Sequence, residues 1–281
     1  MSRQGIYRFS SIGRPLQPEY PSNRAVLLLL PVAAVIGAAM AWYDGAGATD
    51  MLRAGALTAL TAFGAWALAR ELDPDHNGAA FIAMAFGLLA AVFVDEPGIL
   101  VLFVTLGLVR MVNRSTGLAA RMSDSVILLL LTTVVIYTTN SPLFGLAAGF
   151  AFMLDGNLRE PLRSQWIFGL ISMGATVVYL VDHGMGADLL AAPKSLYGWL
   201  ALLFLLIFAL NALLLKSVQS TGDCSDEPLG PGRVRAGMAV GLLAALQGIH
   251  APDKVVLVVA VIAGVGAAMA FRRSFRSPAK T

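Results

Sequence analysis

Thr138-Thr139-Asn140-Ser141-Pro142-Leu143 interrupts an otherwise apolar run from Val126 to Leu154, and the topology of the whole chain turns on whether this interruption ends a helix. Proline has no backbone N–H to offer a helix and disfavours helical geometry in the residue before it, so two segments, Val126–Thr139 and Leu143–Leu154, are expected. Charge gives an independent check. With the break in place and the N-terminus inside, only Arg53, Lys194 and Lys254 of the 20 lysines and arginines fall outside. Bacterial membrane proteins keep their basic residues on the cytoplasmic side in this way. Fusing the two segments would move every later loop across the membrane and leave ten basic residues on each side, which erases the bias.

Working outward from the break, eight further apolar segments appear: Ala25–Trp42, Ala54–Ala69, Ala79–Val94, Ile99–Val112, Trp166–Val181, Trp199–Leu215, Ala236–Ile249 and Val255–Phe271. Several fall short of the roughly 17 to 25 residues of an ordinary span. Trp42, Trp166, Tyr197 and Trp199 sit at segment ends, where an aromatic belt extends a helix into the headgroup layer. The expected fold is therefore all-α: a polytopic transmembrane bundle of about ten short helices. Residues 1–24 form a cytoplasmic tail, 25–271 the transmembrane domain, and 272–281 a second cytoplasmic tail. A multi-pass protein of the bacterial-type inner membrane is the expectation.

Composition agrees, since 57% of the residues are hydrophobic and 13% charged. A soluble domain carries about a quarter of its residues as charges. The net charge of +3 suggests no nucleic-acid partner, because the basic residues sit beside apolar segments as topological anchors. The bilayer is the expected partner. Cys224 is the single cysteine, so neither an intrachain disulfide nor a cysteine metal site can form. An arginine-bearing lead followed by an apolar run and Ala39-Met40-Ala41 resembles a cleaved secretory signal, but the polar lead is long for one, and the first segment reads as a retained span. Gly145-Leu146-Ala147-Ala148-Gly149 and Gly237-Met238-Ala239-Val240-Gly241 place small residues on one helix face, suited to close helix packing or to a homo-oligomer or membrane partner.

Charged residues beside lipid are costly, so their positions carry the functional information. The densest group is Arg70-Glu71-Leu72-Asp73-Pro74-Asp75-His76-Asn77-Gly78, between the second and third segments. Asp73 to Gly78 match the first half of an EF-hand loop, D-x-[DN]-x-[DN]-G, but position twelve would be Met84 instead of the bidentate Glu. A complete EF-hand is excluded. Two readings remain: Glu71, Asp73 and Asp75 as ligands of Mg2+ or another hard cation, or a tight turn capping the third helix through Asp75 or Asn77. Arg110-Met111-Val112-Asn113-Arg114 puts Arg110 and Arg114 one helical turn apart with Asn113 beside them, a grip for phosphate or carboxylate, or else a pair of snorkelling anchors. In Asp155-Gly156-Asn157-Leu158-Arg159-Glu160-Pro161, a local pair of Arg159 with Asp155 or Glu160 is expected.

All three groups fall on the cytoplasmic side, and acids holding a cation beside arginines would suit a diphosphate. On the other side Asp182, His183 and His250 read as incidental. Within the segments, Asn211, Gln247 and Ser172 would line a transport path or bond neighbouring helices.

Ten short spans in 281 residues with both ends inside resemble, in architecture, the drug/metabolite transporter superfamily of two inverted five-helix repeats. The resemblance implies a transporter and carries over no residue, since Ala25–Thr139 and Leu143–Phe271 do not align. The acidic turns after the second and sixth segments are similar in placement to those of UbiA-type prenyltransferases, but the N-x-x-x-D-x-x-x-D pattern is absent from Arg70–Gly78. Three functions follow as expectations. The first is a permease or flippase for a small or lipid-linked solute, using Asn211, Gln247 and Ser172 with the acidic turn as gate. The second is an intramembrane enzyme on a phosphorylated lipid or prenyl substrate, with Mg2+ on Glu71, Asp73 and Asp75 and phosphate on Arg110, Asn113 and Arg114. The third is an assembly or scaffold subunit working through its small-residue faces.

Overall fold

The break at Pro142 is present, and its mechanism is local. Asn140 takes a left-handed conformation, φ 52°, and its N–H closes on the Ile136 carbonyl. Asparagine is one of the few residues that tolerates this helix-ending geometry. The Ser141 N–H returns to the same carbonyl at 3.3 Å, and Pro142 then stands just before the next helix.

The computed structural model describes residues 7, 9–92, 94, 98–184, 195–225, 227–249 and 252–275. Among them lie ten α-helices: α1 (Pro21–Tyr43), α2 (Ala48–Leu72), α3 (Asn77–Val92), α4 (Ile99–Asn113), α5 (Met122–Thr139), α6 (Leu143–Asp155), α7 (Gln165–His183), α8 (Leu196–Leu213), α9 (Pro231–Leu246) and α10 (Pro252–Phe275). Each corresponds to one expected segment. Sequence reading starts α1 and α9 late because both open on a proline, Pro21 and Pro231, followed by polar residues that hydropathy alone does not count as helix. Proline is favoured in that position, where its missing N–H would have had no intrahelical partner.

Six helices, α1, α2, α5, α7, α8 and α10, are long and apolar enough to cross a membrane. The shorter ones survive by position. At 13 residues α6 is about 20 Å long, well under the ~30 Å of a bilayer core. It is flanked by α4, α5, α7 and α9, so protein rather than lipid surrounds much of it.

Burial separates centre from rim. In α10, 72% of the apolar stretch is buried, against 17% in α1, which leans on α2 and turns Leu28, Val35 and Trp42 outward. α10 packs against α3, α8, α9, α2 and α4, and α9 joins α4, α6 and α8, so α2, α4, α9 and α10 make the central layer. The two halves of the chain share the packing of α1 on α2 and of α6 on α7, but α2 also packs on α3 and α4, whereas α7 turns to α5.

Both small-residue runs are used inside the chain. A Cβ on Gly145 would meet the Thr176 hydroxyl of α7, and one on Gly149 would come within 3.1 Å of the Gly169 carbonyl. Ser172 donates to the Gly145 carbonyl at 2.8 Å across this contact. Gly237 faces Asn113 of α4, and Gly241 faces Leu72 and Ile262. The expected oligomer or partner faces are thus occupied by neighbouring helices of the same chain.

Candidate functional site

Helix ends that should share one side of the bundle do touch one another there. Arg70 at the end of α2 donates to Ser22 at the start of α1, at 2.8 Å. Ser125 in the first turn of α5 bonds Gln165 at the start of α7, at 2.9 Å. Arg272 at the end of α10 pairs with Asp73 just beyond α2. These contacts place one end of alternating helices in a common layer, as an up-and-down path requires.

Two buried ion-pair centres organise that layer. In the first, the Glu71 carboxylate, 1% exposed, accepts from Arg110 Nε at 3.0 Å and from Arg14 Nη1 at 3.1 Å. Arg14 comes from the segment before α1, which is no free tail. Its other nitrogens clamp Asp223, Nε at 2.7 Å and Nη2 at 2.6 Å. The preceding residues are held as firmly: the Ser11 N–H and hydroxyl donate to Asp124 at 2.8 and 2.6 Å, and Thr116 donates to the Ser11 carbonyl at 2.6 Å. Tyr7 also donates to Asp223, at 3.3 Å, and burial, with the Asp223 charge second, pushes its phenol above the ordinary value.

In the second centre, Asp155 is fully buried at the end of α6. It accepts from Arg114 Nε at 2.9 Å and from Arg233 Nη1 at 2.8 Å. Arg233, in the first turn of α9, also donates to the carbonyls of Val112 and Arg159. The expected local pair of Arg159 with Asp155 is replaced by this tertiary one, because Asp155 turns into the bundle, and Glu160 stands 3.8 Å from Arg114.

Arg110 and Arg114 do not form a common grip. Arg110 lies in the last turn of α4, but Arg114 has left the helix at φ 50°, so the two guanidinium groups face different carboxylates. Asn113 between them donates to the Glu71 backbone carbonyl at 2.8 Å, satisfying an end of α2. Glu71, Asp73 and Asp75 likewise address three different partners. Asp73 holds His76 at 2.8 Å and Arg272. Asp75 accepts the backbone N–H of Gln219 at 3.0 Å and that of Ser220 at 2.8 Å, with the Ser220 hydroxyl also at 2.8 Å. Burial alone would raise the Asp75 carboxyl; donation from Ser220 and these N–H groups outweighs it and holds the group below the usual carboxylate range. Among the described residues, no three His, Cys, Asp or Glu side chains group as a metal site.

Asn211 donates to the Ile207 carbonyl of its own helix at 2.7 Å. It lines a cleft of about 400 Å³ with Asp73, Lys216 and Arg272. Gln247 lies in the turn between α9 and α10, buried, with neither side-chain nitrogen nor oxygen paired among the described residues. Asn211, Gln247 and Ser172 are thus on separate elements, and Ser172 is bound into the α6–α7 contact. His183 stacks on Tyr179, ring centres 4.4 Å apart; His250 lies outside the described residues.

A second cleft, about 370 Å³, opens beside the first ion-pair centre. Its walls are the segment from Arg14 to Asn23 and the loop residues Ser220–Asp223; Phe63, Trp66, Arg70 and Glu71 of α2, with Arg110, line its other side. Sequence reading missed Arg14 and Asp223, which are 209 residues apart, and no spacing signal joins them. Compared with protein-family models, curated proteins and solved structures, the chain matches none.

Proposed function

We propose that this chain is a multi-pass protein of the bacterial-type inner membrane that moves a small or lipid-linked solute, a permease or flippase, with the ion-paired layer on the cytoplasmic side acting as its gate. The observation that carries the reading is the sharing of Glu71. One buried carboxylate is held both by Arg110, inside the bundle, and by Arg14, on the segment that walls an open cleft. A carboxylate with two competing cations can keep one when the other leaves, so the wall can part from the bundle without stranding a buried charge. Gates of this kind open by exchanging ion pairs between two packings.

The enzymatic alternative asks Glu71, Asp73 and Asp75 to face one Mg2+, and their commitment to three separate sets of partners places it second. The scaffold alternative rested on the two small-residue faces, which are filled from within the chain. The test is the full-length protein in liposomes, assayed for solute uptake, lipid flipping and Mg2+-dependent conversion of phosphorylated lipids. Glu71→Gln should change flux at least severalfold and leave no conversion to be lost. Flux indifferent to that change, or conversion that disappears with it, sinks the transport reading. Orientation has its own check: reporter fusions after Thr281 and within 222–232 should read cytoplasmic, and one within 184–193 external.

A further inference from the structure

The cleft beside Glu71 carries more positive than negative charge, and the surplus has a definite address. Arg14, Arg70 and Arg110 line it, with Glu71 and Asp223 as its carboxylates. Arg14 uses both acids and Arg110 uses Glu71, which leaves Arg70 with no carboxylate partner among the described residues. Arg70 is nevertheless held in place. Its Nη1 donates to Ser22, its guanidinium lies 5.6 Å from the ring centre of Trp66, and its Nε is buried with no hydrogen-bond partner. An arginine fixed in position, with donors unspent and no carboxylate in ion-pair contact among the described residues, is an anion site in waiting, because the guanidinium fork matches the oxygens of phosphate and carboxylate.

Surroundings narrow the ligand. Ser22, Asn23, Asn77, Ser220 and Thr221 offer neutral hydrogen-bonding groups around the rim, while Phe63 and Trp66 give one side an aromatic surface. The cleft lies where α1 meets the end of α2, and α1 is the least buried of the six long apolar helices, with 17% of its apolar stretch buried. Arginine and tryptophan at a span's end mark headgroup depth, where the abundant anion is phosphate.

We propose that this cleft binds a phosphate group through Arg70, with Trp66 and Phe63 contacting the apolar part of the molecule that bears it. The site names the cargo class for the gate described above and in that respect rests on the transport reading; binding itself does not. The phosphate belongs either to a lipid headgroup or to a soluble phosphorylated solute, and the two are separable by experiment.

Full-length protein purified in a maltoside detergent, which contains no phosphate, is titrated with inorganic phosphate and, separately, with short-chain phosphatidylglycerol. Binding is read by tryptophan fluorescence and by native mass spectrometry. At least one probe should bind, weaken as NaCl is raised, and lose about tenfold or more in affinity in Arg70→Gln, the loss expected for one charge-assisted hydrogen bond. Arg53→Gln, at the opposite end of the bundle, should bind as the unaltered protein does. Preference for phosphatidylglycerol identifies a headgroup, and equal response to inorganic phosphate identifies a soluble phosphate. Absence of binding by both probes, or unchanged affinity in Arg70→Gln, overturns the proposal. Should Arg70→Gln not fold, Arg70→Lys decides: it keeps the charge but loses the fork and the planar face, and unchanged affinity there, or binding insensitive to salt, overturns it equally. Flux that persists in a variant without phosphate binding rejects this site as the cargo site and spares the transport reading; binding without flux does the reverse.

Discussion

The two ends of the bundle are built differently. At the basic end, side chains from residues far apart in sequence interlock: Arg14 with Glu71 and Asp223, Asp155 with Arg114 and Arg233, Asp73 with Arg272. At the other end, one aromatic and polar cluster among the described residues joins two helices that neighbour each other in space. Tyr179 donates to Asn140 at 3.0 Å, His183 stacks on Tyr179 one turn earlier, and Tyr137 meets both rings edge-on. This cluster joins only the neighbours α5 and α7. Rearrangement at the basic end therefore means exchanging ion pairs between residues far apart in sequence.

The largest effect should come from Asp155→Asn. It leaves Arg114 and Arg233 together and buried without their shared counter-charge, and losing one partner of a buried pair costs about 3 to 5 kcal/mol. Thermal unfolding in detergent should show a large fall in midpoint; a shift no bigger than that of an exposed-site control such as Arg53→Gln would mean the centre contributes nothing. Next comes Gly237→Val, which sets a branched side chain against Asn113 and Val109 of α4, with a cost of about 1 to 3 kcal/mol. The same unfolding assay reads it, and a neutral result would mean α4 and α9 do not approach as described.

At the opposite end Tyr179→Phe removes one hydrogen bond and keeps the ring stack, so about 1 kcal/mol or less is expected. A loss rivalling that of Asp155→Asn would erase the contrast between the ends. The smallest effect is one of pH. The Asp75 carboxyl is held below its ordinary value in the folded protein, so the unfolded chain binds its proton more readily. Its contribution is present above the unfolded pKa, near ~4 for an aspartate, and fades as pH falls through the lower folded value. Protease accessibility of the 216–225 loop should therefore stay flat from pH 8 to about 5 and rise only in stronger acid; in Asp75→Asn, that acid-dependent rise should be missing.

The ten helices were legible because each is announced locally. An apolar run, a proline near a segment end, and the basic bias that favours an even number of segments are all properties of neighbouring residues or of simple counting. The break at Asn140 to Pro142 shows this best, since the residues that suggest it are the ones whose backbone makes it. The site was legible in residue type and not in partnership. Glu71, Arg110, Arg114 and Asp155 stand out as charges at span ends, yet the spacing that pairs Arg110 with Arg114 assumes a helix that continues, and it stops at Asn113.

Composition and order by themselves determined that the chain is an all-helical bundle with its charges gathered at the ends of apolar segments, because hydrophobic transfer acts residue by residue and needs no knowledge of neighbours in space. Which charge meets which was left to the tertiary structure. A buried ion must find an opposite charge wherever the packed helices bring one, and for Arg14 and Asp223 that partner lies 209 residues along the chain. The small-residue runs follow the same division: the sequence marked faces fit for close approach, and the packing of α6 on α7 and of α9 on α4 decided that the approach is made within a single chain.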